Sequence, residues 1–140
     1  MRASYLFIVT AMVEVGTGLA LSIAPSVLVA LLLASPLSTT VGMTVARIAG
    51  AALFSLGAAC WLARNDERSG AATGLMVSML LYNTAAVALL GYAGMVSGLA
   101  GVGWWPGVLL HVTLAGWCIA CLRTSRRKLK GTTTLFSEHP

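Results

Sequence analysis

Residues 4–24 read SYLFIVTAMVEVGTGLALSIA, a run in which Glu14 is the single charged side chain. A helix rising about 1.5 Å per residue needs about 20 apolar residues to cross a hydrocarbon core. This stretch is that long, and three more follow at 41–63, 71–92 and 104–122. Open strands leave their backbone groups unsatisfied in lipid, so the spans are expected to be helices. The fold class that follows is all-α: a polytopic membrane protein built as a four-transmembrane-helix bundle. It forms one domain over 1–122, followed by a basic juxtamembrane segment and a disordered tail over 123–140.

Composition points the same way. Of 140 residues, 58% are hydrophobic and 9% charged, whereas a soluble domain carries about 25% charged residues. Too few charges remain to coat a globule in water, and a disordered chain or a disulfide scaffold is excluded by the same numbers. The first span could be read as a signal peptide with Arg2 as its basic region. Glu14 in the middle of the hydrophobic part, and Pro25 directly after Ser22-Ile23-Ala24, argue against cleavage.

The basic residues suggest an orientation. Arg2, Arg64, Arg68, Arg123, Arg126, Arg127, Lys128 and Lys130 fall at the N-terminus, in the second connection and in the tail. The first and third connections, 25–40 and 93–103, carry no charge. Positive residues collect on the cytoplasmic side, which predicts both termini in the cytoplasm and the bundle in the inner cell membrane. The first connection contains VLVALLLA at 27–34, bounded by Pro25 and Pro36. It is too short to span and too apolar for water, and is expected as a short interfacial or re-entrant helix. The third connection is glycine-rich and expected to be mobile. Trp104 and Trp105 mark the outer interface, and Pro106 suits the first turn of the last helix.

Each span carries one strongly polar residue: Glu14, Arg47, Asn83 and His111. Converted to depth from the cytoplasmic edge of a core about 30 Å thick, they come to roughly 15, 21, 18 and 20 Å respectively. Small residues flank them at helical spacing, among them Thr10 and Gly18 for Glu14, Gly50 and Ala51 for Arg47, and Gly107 and Ala115 for His111. Small residues mark packed faces in lipid, so the four side chains are expected to point inward. An isolated Glu or Arg at the bilayer centre costs about 2.5–3.5 kcal/mol. The expected arrangement therefore pairs Glu14 with Arg47, while Asn83 and His111 satisfy what is left. Such a cluster either binds a ligand or passes a proton, or else it is a buried ion pair that fixes helix register. On the pairing, Glu14→Gln and Arg47→Ala each destabilise, and the double variant recovers part of the loss. Tyr82, adjacent to Asn83, is a weaker member of the binding set. Adjacent helical residues point about 100° apart, so its expected part is packing.

Cys118-Ile119-Ala120-Cys121 forms a C-x-x-C, and Cys60 should lie at a similar depth. These three are weak candidates for a soft metal or for thiol exchange. Buried cysteine is also an ordinary small apolar residue, and no cofactor is implied. Haem ligation by His111 would need a second intramembrane histidine, and His139 lies in the tail. No zinc-protease, phosphate-loop, nucleophile-elbow or dinucleotide motif is present.

Ala11-Met12-Val13-Glu14-Val15-Gly16-Thr17 resembles the first-helix segment of the small multidrug resistance transporters, which are also short four-span proteins. That resemblance implies that Glu14 is a membrane-embedded carboxylate exchanging protons for a cationic substrate. Ala46-Arg47-Ile48-Ala49-Gly50, Leu81-Tyr82-Asn83 and Trp105-Pro106 ahead of His111 look like DoxX-like four-helix proteins, a likeness that implies a fold and no activity.

The function expected is binding or transport of a small molecule or ion through the Glu14, Arg47, Asn83 and His111 cluster. The alternatives are a non-catalytic accessory subunit of a larger membrane complex and, third, a thiol or quinone redox enzyme. The expected partners are membrane lipid, a small ligand, and either further copies of the chain or a larger membrane complex. Nucleic acid is not among them.

Overall fold

The computed structural model describes the backbone over residues 3–66 and 69–136, with side chains as far as Ser125. The described residues form helices only: α1 (Ala3–Ile23), α2 (Pro25–Leu33), α3 (Thr40–Ala63), α4 (Gly70–Met95) and α5 (Trp104–Phe136). Four of them, α1, α3, α4 and the Trp104–Ser125 part of α5, are long and apolar enough to cross a membrane. The chain is thus an all-α, multi-pass bundle, with α2 as the short apolar helix expected between the first two spans.

Local chemistry sets the helix ends. Thr39 accepts from the Gly42 amide at 3.1 Å and Ser69 from the Ala72 amide at 3.0 Å, each taking up an amide with no partner inside its helix. Pro25 sits in the first turn of α2, where its missing N–H costs nothing. The helix stops at Ala34, whose φ of 55° is left-handed and whose amide donates to the Ala30 carbonyl at 2.9 Å.

The helices associate as two close pairs, α1 with α3 and α4 with α5, and α2 touches α1, α3 and α5 at one end. The α1–α3 seam is lined by glycine. Gly18 and Gly50 face each other so closely that a Cβ added at Gly18 would stand 2.6 Å from the Gly50 carbonyl oxygen. Gly57, two turns on, takes the same position against Ala11 and Val15. Between the pairs the space is filled by larger side chains, chiefly Leu6, Phe7, Met76, Met79, Leu114 and Cys118. This packed region occupies the end of the bundle that carries the start of α1 and the middle of α5. The outer surface remains apolar, with Leu62 79% and Leu89 70% exposed, as lipid contact requires.

Two expectations about the connections are corrected. The glycine-rich segment is docked rather than mobile: the Gly101 and Gly103 amides donate to the Leu32 and Leu31 carbonyls, each at 2.9 Å. Those carbonyls close α2 and have no partner within it. Trp104 turns inward, 7% exposed, and its indole N–H donates to the Leu90 carbonyl at 2.8 Å while Trp105 stays 64% exposed. At the other end, α5 continues past its apolar part through the basic segment to Phe136, so that 131–136, expected to be disordered, are helical. Residues 1–2, 67–68 and 137–140, which include Arg2, Arg68 and His139, lie outside the described ones.

Candidate functional site

Thr10, Glu14 and Gly18 recur at i, i+4 and i+8 along α1, and the period of 3.6 keeps them on one face. Thr10 and Glu14 are each 1% exposed. Facing them, α4 contributes Tyr82 and Asn83, and α5 contributes His111. Asn83 is fully buried, while Tyr82 and His111 are half-buried.

The hydrogen bonds order this set. The Asn83 amide nitrogen donates to the Met79 carbonyl at 2.8 Å, one turn back along α4. That turns Asn83 Oδ1 toward His111 Nδ1, 2.8 Å away. An amide oxygen only accepts, so Nδ1 carries the proton and Nε2 is the ring nitrogen left to bind or accept. The rings of Tyr82 and His111 meet edge to face, with centroids 5.6 Å apart. The Tyr82 hydroxyl is in turn directed at the Glu14 carboxyl. Tyr82 therefore links the two helix pairs, with its hydroxyl on α1 and its ring against α5.

What remains open is as informative. Glu14 Oε1 and Thr10 Oγ1 are buried with no hydrogen-bond partner, and so is the indole nitrogen of Trp117 on α5. Leaving a buried polar group unpaired costs about 1–3 kcal/mol, more if it is charged. Two such oxygens lie one turn apart on the same face of α1, a small polar patch in an apolar core. A proton, a water or a small cation would complete it.

Arg47 is not part of this cluster, and the expected pairing with Glu14 is corrected. The guanidinium side chain is exposed. The cause is axial register. Gly18 opposite Gly50, and Ala11 and Val15 opposite Gly57, place Glu14 across from the stretch between Phe54 and Gly57. Arg47 then lies beside the last turn of α1, roughly 12 Å outward at 1.5 Å per residue. The first turns of α3 overhang the end of α1 and run alongside α2. Tyr82 takes the place at Glu14 that was assigned to Arg47.

All three cysteines are buried, and none is in a disulfide. Cys60 Sγ lies 3.5 Å from Met79 Sδ, in the packed layer beneath Glu14. Among the described residues, no three His, Cys, Asp or Glu side chains are grouped as a metal site requires. The hydroxyl of Thr10 was missed as a polar member; its i−4 spacing from Glu14 was the signal. Comparison of the chain with family models, curated proteins and solved structures finds no match.

Proposed function

We propose that this multi-pass membrane protein binds a small ion or molecule at the Glu14 carboxyl and passes it within the membrane. Tyr82, Asn83 and His111 shape the site. The observation that carries this reading is a carboxylate oxygen of Glu14, buried in a spanning helix and left without a partner. A residue kept only to lock helix register would be expected to satisfy both of its oxygens, because a half-satisfied polar network is worse than an apolar core. Polar groups inside spans are costly and are retained where they work on a substrate or a proton. The charge-free connections at the α2 end support an arrangement with both termini cytoplasmic in the inner membrane.

The test is a thermal-shift screen of the detergent-solubilised chain against cations, anions and amphiphiles at two pH values. The expected result is a pH-dependent stabilisation by a cation or a cationic amphiphile that Glu14→Gln abolishes. Silence across the panel, or the same shift in Glu14→Gln, overturns the reading. A second reading, an accessory subunit docked on a larger membrane complex, is favoured by one observation. Ala51, Ser55 and Ala59 form an exposed stripe of small side chains along α3, the kind of face against which another spanning helix packs. On that reading the screen is silent and the purified chain melts well below the complex.

A further inference from the structure

We infer that Arg47 binds the phosphate of a lipid headgroup in the leaflet at the α2 end of the bundle, a site separate from the Glu14 cluster. Arg47 is exposed within the spanning part of α3 and has no hydrogen-bonding or ionic partner among the described residues. An unpaired arginine in the hydrocarbon is costly, so its partner must come from outside the fold. The chain carries only four acids, Glu14, Asp66, Glu67 and Glu138. Glu14 is buried and lies about two turns away along the bundle. Asp66 follows the opposite end of α3, and Glu67 and Glu138 lie outside the described residues. Among the described residues, a second copy in the same orientation therefore brings no free carboxylate to this depth. A symmetric α3–α3 contact there would set two arginines against each other.

A lipid phosphate is within reach. Arg47 lies seven residues after Thr40, the first residue of α3, or about 10 Å along the axis. Helical side chains lean toward their own N-terminus, which for α3 is the end nearest the headgroups. A lysine or arginine stem extends about 6–7 Å along apolar surface while its charged head seeks the interface. The lane it would follow is open, because Thr44 and Thr40 lie one and two turns toward that end and both are exposed. The Thr44 hydroxyl is folded onto the Thr40 carbonyl at 2.9 Å, which keeps it flat against the helix. A guanidinium at the end of that lane meets phosphate oxygens in the bidentate geometry arginine prefers.

The test is native mass spectrometry of the full chain released from detergent with phosphatidylglycerol, with diacylglycerol of the same tails, or with inorganic phosphate as competitor. Arg126, Arg127, Lys128 and Lys130 are replaced by Gln throughout, so that lipid drawn to the basic end is not counted. The expected result is retention of phosphatidylglycerol but not of diacylglycerol, roughly tenfold weaker in Arg47→Gln, partly kept in Arg47→Lys, and unaffected by inorganic phosphate. Equal retention in Arg47→Gln overturns the inference, as does retention of diacylglycerol or displacement by free phosphate. Loss of a dimer mass in Arg47→Gln would instead assign the residue to a protein contact.

Discussion

Gly50→Ala is expected to lower the stability of the detergent-solubilised chain by about 1–3 kcal/mol, and Gly18→Ala by a similar amount. Neither added methyl has anywhere to go. At Gly50 it would stand 2.7 Å from the Gly18 carbonyl oxygen and 2.8 Å from Ser22 Oγ. At Gly18 it would meet the Gly50 carbonyl oxygen and the Phe54 amide nitrogen, both at 2.6 Å. These are mainly backbone atoms, so no rotamer change relieves the clash and α1 must move off α3. Helices in lipid are held together by close packing rather than by a hydrophobic drive, so separation costs contact that nothing replaces. The two substitutions act on one contact, and the double variant should lose less than the sum of the singles. Gly116→Ala is the control. No heavy atom lies within 4 Å of a Cβ there, so its melting should match the parent or rise slightly through better helix propensity. Gly50→Ala melting with the parent would mean that the glycine seam does not hold α1 to α3.

Tyr82→Phe should cost about 1.5–3 kcal/mol if the hydroxyl it removes donates to the Glu14 carboxyl it is directed at, since the ring itself is kept. On a Glu14→Gln background the same substitution should cost less, nearer the 0.5–1.5 kcal/mol of a neutral hydrogen bond. That difference is the coupling between the two residues. Arg47→Gln should instead have the same effect with and without Glu14→Gln, within about 0.3–0.5 kcal/mol, since the pair is separated along the bundle. Chemical or thermal melts of the five variants in one detergent read both cycles. A coupling larger for Arg47 than for Tyr82 would restore the ion pair that the geometry replaces.

The spans were legible because hydropathy over twenty residues depends on composition alone. The expected 41–63 and 104–122 fall within a few residues of α3 and of the apolar part of α5, and α2 lies between its two prolines. Axial register was not legible. Counting Glu14 in from the cytoplasmic edge and Arg47 down from the outer one put them within about 6 Å in depth, but the helices slide until Gly18 meets Gly50 and Gly57 meets Val15. That is a fit between backbone surfaces, and no count of positions encodes it. Side-chain length misled in the same way at Tyr82. The angle of about 100° between neighbours suggested that only one of Tyr82 and Asn83 faced the cluster. Asn83 folds back to Met79 and His111 on the α4–α5 side, while the longer Tyr82 reaches across to α1. The third connection was read as mobile because glycine permits it. Here a side chain on Gly101 would run into the Leu31 carbonyl, and the absence of one lets the loop close the end of α2.

Whether Glu14 serves a ligand or a fold is tested most directly by the melting temperature of Glu14→Gln without ligand. If the residue is kept for function, its open oxygen is a cost to the empty bundle. A glutamine keeps the carbonyl oxygen that faces Tyr82, and its neutral amide removes the cost of burying a carboxylate oxygen with no partner. Glu14→Gln is therefore expected to melt above the parent. Melting below the parent would make Glu14 a structural lock and contradict its role as a binding site.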